Sequence, residues 1–220
     1  MDEYDEKIDR HAKTQAKYFN EKVKIFNQTI PNDIVQKTLN IVKSAQLKPD
    51  DTILDIGTGT GVLIEHFLSS SIKPGNILGL DLTINMVKAA SEKYKDVYFC
   101  HGDFLKFPDD SVFYLNNVTV QYKPPQFSKV FFNACFGNII DQAKAITKAW
   151  SLLANSGKII VSHPLGNIFV KKLHDIDPEI VPHLLPDLEF WQNMTSRCSL
   201  KLDHFEDGPD FYLAILDKCK

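Results

Sequence analysis

The sequence predicts an α/β domain: a seven-stranded, mostly parallel sheet flanked by helices and closed by a C-terminal antiparallel hairpin. Three observations predict it. Short apolar runs alternate with stretches of helical spacing between Thr52 and His163, the pattern of parallel strands joined by crossover helices. The first run, Thr52-Ile-Leu-Asp-Ile56, leads into glycines at alternate positions, Gly57, Gly59 and Gly61, and then into Val62-Leu-Ile-Glu-His-Phe-Leu68, apolar at helical spacing. A strand, a glycine turn and a helix start form a unit that cradles phosphates or nucleotides. The second run, Ile77-Leu-Gly-Leu-Asp-Leu82, carries Asp81, 24 positions after Gly57. Folds of this class place a carboxylate at about that distance against ribose hydroxyls.

The bulk numbers bound the class. At 220 residues the chain forms one sizeable domain, burying roughly 70–75% of its unfolded surface. Its 44% hydrophobic and 24% charged residues are globular values. A net charge of −3 gives no basis for a nucleic-acid partner. No apolar run approaches the ~20 residues of a membrane span. The N-terminus is acidic and has no apolar core, which argues against a signal or transit peptide. Cys100, Cys135, Cys198 and Cys219 form no CxxC pair, so free thiols in a reducing, cytoplasmic setting are expected and a metal site is not.

Residues 1–30 form an N-terminal arm ahead of a body at 31–220. Within the arm, Ile8, Ala12, Ala16, Phe19, Val23 and Phe26 recur every three to four residues or at multiples of a turn, one apolar stripe on a helix. The aromatic pair Tyr18-Phe19 sits on or beside that stripe and at least docks the arm on the body. Pro31 suits the first turn of a second helix, since its missing N–H is not needed there. Ile34, Val35, Leu39, Ile41 and Val42 mark its apolar side, and Lys48-Pro-Asp-Asp51 turns into the glycine-loop strand.

The spacing of the glycine loop separates two ligand classes. A dinucleotide fingerprint reads G-x-G-x-x-G. Here Asp55 precedes Gly57 by two residues and the run is D-x-G-x-G-x-G, with Val62 next. At this point the sequence resembles the class I S-adenosylmethionine-dependent methyltransferases, whose first motif is an acidic residue followed by G-x-G-x-G. The resemblance implies a Rossmann-like fold and S-adenosylmethionine as cofactor, with S-adenosylhomocysteine as product. It also implies that Asp55, Gly57, Thr58, Gly59 and Gly61 contact the cofactor, and that Asp81 with Leu82 and Met86 holds its ribose side. Val97-Tyr-Phe-Cys-His101 reads as the third strand. Gly102-Asp103-Phe104 follows, where the resemblance places an Asp against the adenine amino group and apolar surface against the purine. In such relatives an aromatic pair in the arm, here Tyr18 and Phe19, closes over the cofactor.

Residues 107–128 depart from the family's simple pattern. Val112-Phe-Tyr-Leu115 and Val118-Thr-Val-Gln-Tyr122 flank Asn116-Asn117, and Asn tolerates the positive φ of a two-residue hairpin turn. The role stays open between a surface hairpin, a lid and an oligomer contact. Lys129 to Asn138 holds the fourth strand and its loop, and ligands bind beyond the carboxyl ends of such strands. Asn133 and Ala134 are therefore expected beside the cofactor. Asn133-Ala-Cys-Phe136 is similar to the Asn-Pro-Pro-Tyr of amino-group methyltransferases, but neither proline is present. A helix follows through Ile139, Ala143, Ile146, Trp150 and Leu153, ending near Ser156-Gly157. The fifth strand is then Lys158–His163.

His163, His174 and His183 match no common zinc spacing. His163 ends a strand on the ligand side, so it is the expected base or substrate ligand, with Asn133 orienting the acceptor. Leu188–Arg197 reads as a helix, and Ser199–Glu206 with Phe211–Asp217 as the closing hairpin. This half resembles a methyltransferase subgroup of the ubiquinone/menaquinone-biosynthesis type. The expected function is methyl transfer to a small-molecule acceptor. Its rivals are a non-catalytic binder of S-adenosylmethionine or S-adenosylhomocysteine, and another nucleotide-dependent enzyme, such as an aminopropyltransferase, on the same scaffold. The acceptor and the oligomeric state are not specified by the sequence.

Overall fold

The computed structural model describes residues 3–26, 28 and 30–219; Met1, Asp2, Asn27, Thr29 and Lys220, at the ends of the arm and of the chain, lie outside the described residues. Two helices lead, α1 (Glu3–Phe26) and α2 (Asn32–Ser44). The parallel part of the sheet then alternates strand and helix: β1 (Ile53–Ile56), α3 (Ile64–Ser69), β2 (Ile77–Asp81), α4 (Ile84–Lys93) and β3 (Tyr98–His101). A hairpin, β4 (Val112–Leu115) and β5 (Val118–Val120), precedes β6 (Phe127–Asn133) and α5 (Gln142–Leu152). The chain ends with β7 (Leu153–His163), α6 (Gly166–Ile176), α7 (Leu188–Arg197), β8 (Leu200–Asp207) and β9 (Tyr212–Lys218).

These strands form one sheet in the order β5-β4-β3-β2-β1-β6-β7-β9-β8. It has nine strands, not seven. The two additional strands are the 112–120 hairpin, which lengthens the sheet by pairing β4 antiparallel to β3, Tyr98 against Leu115 and His101 against Val112. Asn116 and Asn117 make its turn at φ of 50° and 60°. The Asn117 N–H donates to the Ser91 hydroxyl of α4 at 2.8 Å, which ties the hairpin tip to the helix layer. A second correction concerns the α5–β7 boundary. The helix stops at Leu152, and Leu153 already pairs with Phe127 of β6, so Leu153–Gly157 belongs to the strand.

Successive strand residues face opposite layers. Leu54, Ile56, Val130, Phe132 and Val161 join one core with α5, α6 and α7; Ile53, Ile77, Phe131, Ile160 and Ile215 join the other with α2, α3 and α4. In the first layer the Trp191 indole N–H donates to the Tyr212 hydroxyl at 2.7 Å, and that hydroxyl donates to the Pro186 carbonyl at 2.6 Å. This buried chain fixes α7 against β9 and satisfies both polar tips, as burial demands.

Because both turn asparagines sit in the left-handed region, β-branched residues there are expected to destabilise the fold. Replacing Asn116 and Asn117 by valine should cost about 1–2 kcal/mol each, read from the midpoint of urea unfolding. Asn117→Gly should leave the midpoint close to wild type.

Candidate active site

The carboxyl ends of β3, β2, β1 and β6 open onto one cleft of about 230 Å3. A single water needs only about 10–15 Å3, so the space suits an organic ligand. β1 delivers the chain into the glycine loop, where Gly57, Gly59 and Gly61 have φ of +65°, +56° and +85°. At Gly57 a Cβ would lie 2.7 Å from the Cys135 Cβ, so the segment just after β6 packs directly on the loop. At Gly59 a Cβ would meet nothing within 4 Å, and the loop backbone there borders the open cleft. That is the geometry of a backbone cradle for a ligand.

Asp81 sets the position of this loop. One of its oxygens accepts the Gly59 N–H at 2.9 Å and the other the Thr83 N–H at 2.8 Å. The carboxylate thus also steadies the start of α4, as a helix-capping reading would have it. A carboxylate has about four acceptor sites, so capacity for ligand hydroxyls is left over. Burial pushes its carboxyl above the usual range, opposed by those hydrogen bonds. Asp55 is almost fully buried and accepts the Thr58 hydroxyl at 2.7 Å. Burial raises its carboxyl from 3.8 to about 7, opposed by the Thr58 bond and reinforced by Asp81.

The remaining expected residues fall on the same cleft with three exceptions, of which Gly61 is one: it does not line the cleft, and a Cβ there would lie 2.7 Å from the Tyr94 ring, so it packs the loop against the end of α4. Leu82, Met86, Gly102, Asp103 and Phe104 line it at the β2 and β3 ends. Asp103 accepts the Leu105 N–H at 2.8 Å on one oxygen. Asn133 and Ala134 line the β6 end; Asn133 accepts the Ser162 hydroxyl at 3.0 Å through Oδ1, which leaves its amide N–H groups to donate. Ala134 holds a φ of 55°, strain of the kind that collects at functional sites.

His163 is the second exception. The register pairs Asn133 with Ser162, not His163, and one residue along a strand reverses the face. His163 therefore points to the opposite layer, is buried, and does not line the cleft. Its Nδ1 accepts the Leu165 N–H at 3.1 Å, and burial lowers its pKa to about 4. It shapes the turn into α6, and the role of base assigned to it from sequence is withdrawn. Tyr18 is the third exception. It is exposed, edge-on to Phe19 at 5.1 Å and under Lys22, and only Phe19 reaches the cleft.

The arm covers the cleft in a way the apolar stripe did not reveal. A helix of 24 residues is about 36 Å long, enough to cross four strand ends spaced about 4.8 Å apart. Its contacts with the cleft include two polar residues, His11 and Gln15. The His11 Nε2 lies 2.8 Å from the Asn138 carbonyl, and the Gln15 amide donates to the same carbonyl at 3.0 Å and to that of Ile180. At its other end the Thr60 hydroxyl of the glycine loop donates to the Phe26 carbonyl at 3.1 Å. His174 and His183 bond the carbonyls of Val181 and Ile140 at 2.7 and 3.0 Å, fastening the 177–187 segment behind this wall. Among the described residues no group of three or more His, Cys, Asp or Glu side chains is arranged for a metal ion.

Comparison with known proteins agrees with this architecture. The chain belongs to the methyltransferase-domain family, whose model matches residues 47–201. It is 27% identical over 133 residues to a ubiquinone/menaquinone biosynthesis C-methyltransferase of Wigglesworthia glossinidia brevipalpis, covering 58% of this chain and 49% of that protein. It is 36% identical over 77 residues to a ribosomal RNA small subunit methyltransferase A of Dehalococcoides mccartyi, covering 33% of this chain and 25% of that protein. The chain thus spans half or less of the length of these relatives. Among solved structures it is similar to a SAM-dependent methyltransferase from Aquifex aeolicus, with TM-score 0.66, 15% identity and coverage of 91% and 98%. It is also similar to Haemonchus contortus phosphoethanolamine N-methyltransferase 2 in complex with S-adenosyl-L-methionine, with TM-score 0.56, 20% identity and coverage of 76% and 38%.

Two expectations follow. An acid that holds its proton more tightly in the folded than in the unfolded chain loses stability as pH rises between the two pKa values. Asp55→Asn keeps an acceptor for Thr58 and cannot ionise. Its melting temperature should therefore rise relative to wild type as pH goes from 3.8 to about 7 and then hold steady. Thermal melts of the ligand-free protein across that window check this, and a pH-independent gap would show Asp55 ionised throughout. Gln15→Ala removes both carbonyl contacts and should loosen α1, seen as faster tryptic cleavage after Lys13 and Lys17 with no change in cleavage of the body.

Proposed function

We propose that this chain transfers a methyl group from S-adenosylmethionine to a small-molecule acceptor. The observation that carries the reading is the single cleft that joins the glycine loop, Asp81 and Asp103 to Asn133 and the underside of α1. The donors and acceptors present fit the cofactor. Asp81 has acceptor capacity for the ribose hydroxyls, and Asp103 for the adenine amino group. Leu82, Met86 and Phe104 supply apolar walls for the purine. Gly57, Thr58 and Gly59, backed by Asp55, receive the amino-acid end, Gly61 lets the loop pack on Tyr94, and Ala134 closes the β6 side. The arm, residues 1–30, acts as a cover on the body at 31–220, with Phe19 as its aromatic contact.

When bound, this cofactor supplies a methyl group on a positively charged sulfur that is already a good leaving group. The chain's task is then to orient the acceptor, to exclude water and to receive a proton. Asn133, with its amide N–H groups free, is suited to orient an acceptor oxygen. A small acceptor is favoured by a cleft roofed by α1, and a net charge of −3 argues against RNA, the substrate named for one relative. Four unpaired cysteines suit a reducing, cytoplasmic setting. Among the described residues no helix is long and apolar enough to cross a membrane.

Incubating the protein with methyl-labelled S-adenosylmethionine and a small-metabolite extract tests the reading. Label should move into an acid-stable small product. Cofactor that is bound and released unchanged would instead mark a non-catalytic binder. In the same series Asp81→Ala should weaken S-adenosylhomocysteine binding roughly 10- to 150-fold by calorimetry. Unchanged affinity in a folded variant would remove Asp81 from the site.

A further inference from the structure

The cleft contains five titratable side chains: His11, Asp55, Asp81, Asp103 and Cys135. Four of them are committed. Asp55 is engaged by Thr58, and Asp81 by Gly59 and Thr83. Asp103 is held by Leu105 at the β3 end. The Cys135 thiol donates to the Ile56 carbonyl at 3.1 Å, and burial raises its pKa well above the ordinary thiol range. His11 is different. A carbonyl oxygen only accepts, so the 2.8 Å contact with Asn138 requires the proton on Nε2. In the neutral ring Nδ1 then carries the lone pair, and among the described residues nothing pairs with it. The hydrogen bond to a backbone carbonyl holds the ring in that tautomer, as an orienting partner does in general-base sites.

The topology places His11 at the acceptor end. β3 and β2 lie on one side of β1 and β6 on the other. The residues suited to adenosine come from the β2 and β3 ends. His11 sits against Asn138, five residues beyond the end of β6 at Asn133. Around it the cleft is apolar, with Ile8, Ala12, Ile139 and Ile140, and among the described residues no Lys or Arg side chain lines the cleft. An anionic acceptor would have no cationic partner there, whereas a hydroxyl on an apolar body would have both packing and a proton acceptor.

We propose that His11 is the proton acceptor of the transfer and that the acceptor is an uncharged, largely apolar molecule attacking through a hydroxyl oxygen. This rests on the methyl-transfer reading above. In the step, the acceptor oxygen forms the new O–C bond to the methyl carbon and its proton passes to His11 Nδ1. The S–C bond breaks with its electron pair kept by sulfur, which becomes a neutral thioether. The imidazolium so formed still donates from Nε2 to the Asn138 carbonyl.

The test compares para-cresol, a hydroxyl probe, with para-thiocresol, a thiol of the same shape that is largely ionised at mildly alkaline pH and needs no proton acceptor. His11→Gln removes the basic nitrogen and retains an amide that can donate to Asn138. The ratio of labelled transfer to cresol over thiocresol should fall roughly 10²-fold or more in the variant. Affinity for S-adenosylhomocysteine, measured by calorimetry, should stay within a few-fold. Nitrogen-15 spectra of the histidines in the S-adenosylhomocysteine complex should show His11 protonated at Nε2, with Nδ1 shifting on addition of cresol. An unchanged ratio, or a ring protonated at Nδ1, would overturn the assignment of His11 while leaving the cofactor reading intact. A wild-type protein that binds S-adenosylhomocysteine but methylates neither probe would overturn the apolar-hydroxyl class. Failure to bind S-adenosylhomocysteine at all would overturn the methyl-transfer reading beneath both.

Discussion

The site depends on how the Asp81 carboxylate joins two backbone segments. β2 ends at Asp81, and its two oxygens hold the Gly59 N–H of one segment and the Thr83 N–H of the next. Neither contact tolerates an apolar residue, since buried backbone N–H groups left without partners cost about 1–3 kcal/mol each. The Thr58 N–H, bonded to the Leu80 carbonyl at 3.0 Å, adds a third tie between the same elements. The glycine loop is thereby presented by the sheet as a rigid edge rather than a free turn. Asp55 packs to that edge from β1, and Ala134 and Cys135 from the segment just after β6.

The second constraint comes from the opposite direction. α1 is far from the rest of the domain in sequence order, yet its polar side meets backbone carbonyls of Asn138, in the loop after β6, and of Ile180. The Asn138 side chain donates to that same Ile180 carbonyl at 2.9 Å. α1 and two other segments, at Asn138 and Ile180, are knitted by side-chain amides and an imidazole. Such bonds are directional, so they set the angle at which the helix crosses the cleft, and apolar contacts of Ile8, Ala12 and Phe19 then seal it.

The hairpin between β3 and β6 has a structural role. It moves the sheet's edge two strands away from the cleft and covers the unpaired groups of β3. Its aromatic residues join the rest of the core: Tyr98 and Tyr122 stack at 4.4 Å, and Phe113 lies 6.2 Å from Phe107. At the far edge β8 carries Lys201, Asp203, Glu206 and Asp207 and an irregular register near Leu202, features that disfavour pairing with another chain.

What the sequence determined by itself was local. The apolar runs and their spacing marked the strands and most of the helices, and the turn after β1 was legible because Gly57, Gly59 and Gly61 supply the positive φ that a tight strand-to-helix turn needs. The hairpin, too, was readable from Asn116-Asn117. Its membership of the sheet was not, because strand pairing joins residues with no sequence signal between them, and the strand number came out two short. The tertiary structure alone decided which side chains share the cleft. His163 was placed there from its position at a strand's end, but the register set Ser162 opposite Asn133 and turned His163 to the other layer, since a shift of one residue reverses every side chain. His11 and Gln15 escaped notice because a polar residue within an amphipathic stripe looks like its ordinary interruption. Their placement comes from the Asn138 and Ile180 carbonyls, which lie more than a hundred residues away and are brought to them only by folding.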